Sequence, residues 1–246
     1  MAFDLANPQR FEKLAARLVP LLTIASGVTA LFGLYMALFD SPADYQQGDS
    51  VRIMYVHVPA AWMALLCYST MAIASAIGFI FKHPLADVAA KSAAPIGAAF
   101  TFLALVTGSL WGKPMWGTWW AWDARLTSVL ILFFLYIGYI ALWNAIDDKI
   151  RAARLAAIVC LVGFINIPII KFSVDWWNSL HQPASVLRAG GPTIHGSMLT
   201  PLILMGAAYA LGFAALLLVS MRGELAERRI ARLEQTARAP SRATVA

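Results

Sequence analysis

Tryptophan is concentrated in one short stretch of the sequence. Five of the nine tryptophans lie within residues 111–122. Indole rings offer broad apolar surface with one polar N–H group, which suits contact with a large, flat, apolar ligand. Gly112, Pro114 and Gly117 predict that the backbone turns here. The candidate binding residues in this stretch are Trp111, Trp116, Gly117, Trp119, Trp120 and Trp122.

Charged side chains adjoin these tryptophans. Asp123 either caps the helix that follows or belongs to the binding site. Arg125 and Lys113 could pair with a carboxylate of a bound ligand, and Arg forms such pairs through two parallel hydrogen bonds. An Asp123–Arg125 ion pair, or contact with lipid headgroups, is the competing interpretation. Asp123 and Arg125 are therefore added to the candidate binding residues.

Three of the four histidines flank the tryptophan-rich stretch along the chain: His57, His181 and His195. Axial ligation of a metal in a planar macrocycle uses one imidazole on each face of the ring. Asp175 and Asn178 are near enough in sequence to orient His181. Cys67 and Cys160 form no CxxC or CxxCH pattern, so neither a zinc site nor covalent haem attachment is indicated.

The composition predicts that membrane-spanning helices position these residues. Hydrophobic residues make up 60 % of the chain and charged residues only 13 %. A bilayer-spanning helix needs about 20 apolar residues, and such runs recur between short polar segments. We expect an all-α membrane protein in which residues 1–220 form one polytopic domain and residues 221–246 form a charged cytoplasmic tail. The six predicted spans are 18–39, 58–81, 92–111, 128–146, 155–170 and 199–220.

Basic residues predict the orientation of these spans. Most of the 19 Lys and Arg residues fall in the segments on one side, including both ends of the chain. By the positive-inside rule, both termini are cytoplasmic and the tryptophan-rich segment faces outward between the third and fourth spans. His83 lies on the cytoplasmic side, about 30 Å of hydrocarbon away from the other histidines. The basic residues are dispersed between apolar spans, which argues against a nucleic-acid partner.

This topology also bears on a simpler explanation of the clustered tryptophans, namely that they form an aromatic belt at the membrane surface. Aromatic belts form at both membrane surfaces. Trp62, Trp176 and Trp177 join the outer set, whereas only Trp143 approaches the inner surface. A belt does not explain that asymmetry, and a ligand-binding surface does.

At the N-terminus, Asn7 is a plausible helix cap and Pro8 a plausible first helical residue.

The stretch from Trp116 to Asp123, with Arg125, Leu126 and Thr127 after it, resembles the "WWD" signature of haem-handling membrane proteins. Six spans in 246 residues are similar to one branch of that superfamily, the cytochrome c maturation protein C (haem exporter protein C) family. The resemblance extends from about Pro42–Gly48 to Leu180–Gln182. It implies that His57 and His181 are axial ligands of haem iron. His195 lies outside the family pattern, so its role stays open.

The same resemblance implies a role in cytochrome c biogenesis rather than an enzymatic reaction. A family member presents non-covalently and transiently bound haem b to a periplasmic haem chaperone, CcmE, from the bacterial inner membrane. It works with an ATPase subunit (CcmA), a second membrane subunit (CcmB) and a small subunit (CcmD). This chain has no GxxxxGK[ST] phosphate loop, so an ATP-driven step must come from a partner.

Two other functions remain open from the sequence. A membrane b-type cytochrome would place paired histidines within the spans, whereas here they lie near span ends. A permease that moves haem across the membrane would typically show repeats, broken helices or charged residues at mid-membrane depth. The predicted spans have essentially uncharged centres.

Overall fold

The protein is a bundle of seven α-helices, described by a computed structural model over residues 7–186, 188 and 190–238. A π-helical turn (Met36–Asp40) ends the first helix, and a 3₁₀ turn (Asp49–Ile53) leads into the second. Six helical segments in this part of the chain are long and apolar enough to cross a membrane, which confirms the predicted all-α fold with six spans. The helices are α1 (Pro8–Tyr35), α2 (Met54–Phe81), α3 (Ala86–Trp116), α4 (Ala124–Ala145), α5 (Lys149–Gly163), α6 (Asn166–Trp176) and α7 (Gly196–Arg238).

Side-chain caps fix where several helices begin. The Asn7 side chain accepts a hydrogen bond from the Gln9 N–H at 2.9 Å, and Pro8 is the first residue of α1, as predicted. The Asp123 side chain accepts from the Leu126 N–H at 2.7 Å and caps α4. Asp148 caps α5 in the same way. Each cap satisfies backbone donors that the first turn of a helix leaves without a partner.

The third span is longer than the sequence predicted. We expected a turn at Gly112 and Pro114, but α3 continues through both and ends at Trp116. The turn comes at the third predicted residue, Gly117, which directly follows α3 and has a φ of 73°, the left-handed conformation that glycine adopts without steric cost. The tryptophan-rich stretch is therefore half helix (Trp111 and Trp116) and half extended connection (Trp119–Trp122).

The fifth span consists of two helices rather than one. Helix α5 ends at Gly163 and α6 begins at Asn166, and together they form the span Lys149–Trp176. The Asn166 amide donates to the Ser128 carbonyl of α4 at 2.8 Å, which satisfies a buried polar group beside the break. Hydrophobic periodicity cannot reveal such a break because apolar residues continue through it.

The bundle has an aromatic end, where α3 ends and α4 begins, and an opposite end, where α2 ends and α3 begins. Helix α2 packs along α3, and α1 packs along α7. Tyr68 and Tyr136 are fully buried in the core between α2, α4 and α5. Outward-facing side chains of α1, such as Leu31 and Phe32, are exposed, as expected of a face that contacts lipid. Helix α7 continues without interruption from the bundle to Arg238.

Candidate functional site

A cavity of about 1200 Å³ lies at the aromatic end of the bundle. We term it the aromatic cavity. Its volume is somewhat larger than that of typical small-molecule sites, which are roughly 300–1,000 Å³. Its wall includes residues of α2, α3, α4 and α6 and of the connections after the first π-helical turn and after α6. The predicted site residues that line it are His57, His181, Trp111, Trp116, Trp120 and Arg125, and His195 lines it as well.

His57 lies in the first turn of α2 and is held through one ring nitrogen. Its Nδ1 is 3.0 Å from the Ala104 carbonyl and 3.1 Å from the Thr107 hydroxyl, both on α3. A carbonyl oxygen can only accept a hydrogen bond, so Nδ1 carries the proton. The neutral ring therefore keeps its lone pair on Nε2. That is the tautomer in which Nε2 can bind a metal.

Two residues of α3 set the position of the His57 ring. Trp111 contacts it edge-on, with ring centroids 5.7 Å apart and an interplanar angle of 73°. Gly108 allows the ring to approach α3, since a Cβ built on Gly108 would lie 2.8 Å from Cε1 of His57. Any larger residue at position 108 must displace the imidazole.

His181 is held in the same manner by a carboxylate. Its Nδ1 lies 3.2 Å from Oδ2 of Asp123, and its ring contacts Trp116 edge-on with centroids 4.9 Å apart. Asp123 accepts two further hydrogen bonds on Oδ2, from the Ser179 hydroxyl at 2.6 Å and the Leu180 N–H at 3.3 Å. We expected Asp175 and Asn178 to orient His181. The structure assigns this contact to Asp123.

The protonation states at this pair follow from its surroundings. Burial alone would raise the pKa of Asp123, but hydrogen bonds from Ser179, Leu126 and His181 outweigh it and lower the pKa below its ordinary value. Burial lowers the pKa of His181, although the hydrogen bond and charge of Asp123 act in the opposite direction. At neutral pH the carboxylate is charged and His181 is neutral, with its proton on Nδ1 and its lone pair on Nε2.

His195 differs from the other two histidines. Its Nδ1 accepts the Ser197 N–H at 3.3 Å and contacts the Ser197 hydroxyl at 2.8 Å, directly before α7 begins. A backbone N–H can only donate, so Nδ1 supplies the lone pair and the neutral ring carries its proton on Nε2. This side chain is exposed and caps a helix. Its Nε2 is a hydrogen-bond donor, whereas the Nε2 atoms of His57 and His181 are free to accept or to ligate.

The remaining predicted residues divide between the cavity wall and its surroundings. Trp119 and Trp122 do not line the aromatic cavity and are 54 % and 77 % exposed. Gly117 ends α3, and the Lys113 ammonium donates to the Gly117 carbonyl and lies 5.9 Å from the Trp119 ring centroid. Trp120 lines the cavity, and its buried Nε1 has no hydrogen-bond partner in the part of the chain that the structure describes.

Arg125 connects α4 to α6. Its guanidinium donates to the Ser173 hydroxyl at 3.1 Å and to the Ile170 and Lys171 carbonyls at 3.4 Å. The alternative of a direct Asp123–Arg125 ion pair does not occur among the described residues. Arg125 therefore shapes the cavity wall and, because it also borders the cavity, places a positive charge beside it.

Sequence reasoning missed four residues around the histidines: Thr107 and Gly108 beside His57, Ser179 beside His181, and Gln47, whose side chain accepts a hydrogen bond from Trp111. Gln47 lies in the stretch that carries the family resemblance, which is a signal that could have identified it. Thr107 and Gly108 lie in an apolar span and carry no pattern that distinguishes them. Their roles depend on the packing of α2 against α3.

The fold and the site define a polytopic helical membrane protein with a large aromatic and histidine-lined cavity at one end. Comparison with known families shows that the sequence matches the family described as heme exporter protein C over residues 1–236. The chain belongs to the heme exporter protein C family.

Three relatives named heme exporter protein C illustrate the similarity. The protein from Bradyrhizobium diazoefficiens is 59 % identical over 231 residues, which are 94 % of this chain and 88 % of the relative. The protein from Escherichia coli K12 is 49 % identical over 219 residues, covering 89 % of this chain and 88 % of the relative. The protein from Paracoccus denitrificans is 43 % identical over 232 residues, covering 94 % of this chain and 96 % of the relative.

Proposed function

We propose that this protein holds haem in the aromatic cavity and presents it to a haem chaperone for c-type cytochrome biogenesis. The observation that supports the proposal is that two histidines adopt the same tautomer. His57 and His181 line one cavity, and each uses Nδ1 for a protein acceptor and keeps the Nε2 lone pair. A neutral imidazole with a free Nε2 lone pair is the state in which a histidine can bind iron, so His57 and His181 would hold the iron of a bound haem.

The cavity wall suits the rest of a haem molecule. Trp111, Trp116 and Trp120 supply apolar surface for the macrocycle. Arg125 provides a positive charge that a propionate can approach. When bound, haem supplies an iron centre that accepts two imidazoles, and the chain supplies the ligands, the apolar wall and the charge. We propose haem b, held without covalent bonds, because the two cysteines are buried within helices and do not form a CxxCH pattern.

We further propose that the aromatic end faces the periplasm and both termini face the cytoplasm of a bacterial inner membrane. Arg17, Lys91 and Arg154 lie near the opposite end of the bundle, as the positive-inside rule requires of a cytoplasmic end. The part of α7 beyond residue 220 then forms a cytoplasmic extension, and residues 1–220 form the membrane domain. The exposed Trp119, Trp122, Trp176 and Trp177 lie beside the cavity, where they offer the chaperone CcmE a surface to contact.

Partners account for what the chain itself lacks. No phosphate-loop sequence is present, so we propose that ATP hydrolysis belongs to CcmA, with CcmB and CcmD as further subunits of the complex. The chain acts as a carrier rather than an enzyme. Bis-histidine ligation without thioether bonds suits a carrier, because a histidine of the receiving protein can replace one ligand.

The experiment is spectroscopic. The full chain is purified in detergent from cells that lack the chaperone, and its reduced absorption spectrum is recorded for the wild type and for His57→Ala, His181→Ala and His195→Ala. We expect bound haem in the wild type, its loss in the first two variants, and its retention in His195→Ala. Loss of haem in His195→Ala alone would overturn the ligand assignment. An electron-transfer function would instead predict a bound haem that cycles rapidly between redox states without leaving the protein.

A further inference from the structure

Gln47 connects an otherwise unassigned loop to the candidate ligand His57. The Gln47 side-chain oxygen Oε1 accepts a hydrogen bond from Nε1 of Trp111 at 3.0 Å. Trp111 is the residue whose ring contacts His57 edge-on at 5.7 Å. Gln47 and Trp111 are 64 positions apart in sequence and lie on different elements, so this hydrogen bond ties the loop before α2 to the end of α3.

The loop that carries Gln47 is itself tightly fixed. The Asp44 side chain accepts hydrogen bonds from the Gln46 and Gln47 N–H groups, both at 2.9 Å. Asp44 and Gly48 exchange two backbone hydrogen bonds across the turn, and Gly48 has a φ of 56° that favours glycine. The Ser50 hydroxyl donates to the Gln47 carbonyl at 2.6 Å. A side chain mounted on this turn has a defined position from which to hold a partner.

The hydrogen bond between Gln47 and Trp111 restricts a rotation of the His57 ring that the hydrogen bonds of His57 itself still allow. The Nδ1 contacts with Ala104 and Thr107 fix one edge of the imidazole, but the ring can still pivot about that edge. The Trp111 ring blocks this motion only while the indole keeps its orientation. Without an acceptor for Nε1, the half-buried indole N–H loses a hydrogen bond and the ring is free to rotate toward another acceptor.

We propose that Gln47 is a positioning residue for His57 and acts through Trp111. The Asp44–Gly48 turn holds Gln47, Gln47 fixes the indole, and the indole fixes the plane of the imidazole that carries Nε2. This role depends on the proposed ligation of haem by His57. It also gives the Asp44–Gly48 loop a purpose that its sequence alone does not reveal.

Variants of Gln47 test the role directly. Gln47→Leu keeps the size of the side chain and removes the acceptor, whereas Gln47→Glu keeps an acceptor oxygen. The matched control is the same substitution far from the cavity, Gln235→Leu in α7, because the Gln235 side chain is exposed and does not line the aromatic cavity. The full chain is purified with its bound haem, and the rate of haem loss to an excess of an acceptor protein is measured together with the low-spin electron paramagnetic resonance signal.

We expect Gln47→Leu to lose haem about tenfold faster, at the low end of the 10–100-fold effects of groups that directly orient a metal ligand. Its low-spin signal should shift because that signal depends on the planes of the axial imidazoles. Gln47→Glu should restore both properties, and Gln235→Leu should match the wild type. In a double-mutant cycle, Trp111→Phe should abolish the further effect of Gln47→Leu, since the hydrogen bond is then already absent.

Two failures can be told apart. If His57→Ala and His181→Ala retain haem as the wild type does, the proposed function itself is wrong. If those variants lose haem but Gln47→Leu behaves like Gln235→Leu in both measurements, only the positioning role is overturned. Additive effects of Gln47→Leu and Trp111→Phe in the cycle would likewise contradict it. Gel filtration of each variant shows that the comparison is made between folded proteins.

Discussion

Nδ1 of His181 lies 3.2 Å from Oδ2 of Asp123, the same residue whose other carboxylate oxygen caps α4 at the Leu126 N–H. One aspartate therefore begins a helix and orients a candidate iron ligand at once. This joint role resolves a choice that the sequence left open, namely whether Asp123 is a cap or a site residue. It is both, because its two oxygens face in different directions.

Asp123→Asn separates these two roles. Asparagine caps helices as well as aspartate does, so α4 should begin at the same residue. Its amide N–H₂ group cannot accept a hydrogen bond from Nδ1 of His181, and the imidazole should shift its proton to Nε2, the atom proposed to bind iron. We expect haem retention to fall about 10–100-fold. The measurement is the rate of haem loss from the purified chain. Asp175→Asn is the control, and a larger effect there would contradict the assignment.

The depressed pKa of His181 predicts a specific dependence of stability on pH. Because burial favours the neutral ring in the fold, the unfolded chain binds the proton more readily once pH falls below the ordinary histidine pKa of about 6.5. Stability should therefore decrease as pH is lowered from 7.5 to 5, by at most about 1.4 kcal/mol per pH unit from this group. The lowered pKa of Asp123 contributes only at lower pH, where its stabilisation is lost as the carboxylate protonates.

Thermal unfolding of the haem-free protein in detergent measures this effect. The comparison is between the wild type and His181→Gln over the same pH range. The variant should show a shallower decrease, since it has no proton to bind at that position. Equal slopes for the two proteins would show that His181 is not the titrating group. Any contribution from other histidines is common to both proteins and cancels.

Gly108→Ala tests the close approach of α3 to His57. The added methyl group would lie 2.8 Å from Cε1 and 3.3 Å from Nδ1 of the imidazole, so the ring must move. We expect weaker haem retention, by about tenfold if the displaced ring behaves like one that has lost its orienting partner, without loss of helix. Gly138→Ala is a matched control in α4, where an added Cβ meets nothing within 4 Å. Equal haem retention in both variants would contradict the steric argument.

The sequence was sufficient for the architecture because its strongest signals are local. Apolar runs predict six spans, and Asn7, Asp123 and Gly117 predict helix ends from their own chemistry. Pro114 misled the prediction, since α3 continues through it and ends only at Trp116. The break between α5 and α6 was not predicted because both helices are apolar. Helix boundaries thus depend on contacts that a pattern does not contain.

The site was only partly predictable for a related reason. Residue type identified His57, His181 and the tryptophans as candidates. It could not assign a proton to Nδ1 or Nε2, since that choice depends on the Ala104 carbonyl for one ring and on Asp123 for the other. His195 shows the limit most clearly. It lines the same cavity, and only its contact with Ser197 distinguishes its tautomer from that of the two candidate ligands.

Arg125→Lys tests whether the planar guanidinium holds α6 against α4. Arginine reaches the Ser173 hydroxyl and the Ile170 and Lys171 carbonyls together, and a single ammonium group cannot match that geometry. We expect faster hydrogen–deuterium exchange in α6 and haem loss that is several-fold faster, because α6 forms part of the cavity wall. Lys113→Gln is the control, since Lys113 contacts Gly117 and Trp119. Unchanged exchange in α6 would show that this connection is dispensable.

An ion-pair cluster at the opposite end should hold the extension of α7 in place. Glu224 pairs with Lys91 of α3 and with Arg228, and Arg228 also reaches Asp87 at 2.9 Å. The Glu224 side chain is only 10 % exposed, so removal of its charge leaves two cations without their shared partner. We expect Glu224→Gln to weaken the contact between α7 and α3 by about 1.5–3 kcal/mol, as for hydrogen bonds to charged groups.

Limited trypsin digestion measures this change, because Arg229 and Arg232 are exposed but helical, and a released extension can unfold locally into the form that trypsin cleaves. Cleavage at these sites should become roughly tenfold faster or more in Glu224→Gln, since about 1.4 kcal/mol corresponds to a factor of ten in the open population when opening is fast. Glu227→Gln is the matched control, because Glu227 is exposed and forms no ion pair among the described residues. Equal cleavage rates would show that the extension is held by its apolar contacts alone, through Met221 against Leu85 and Val88.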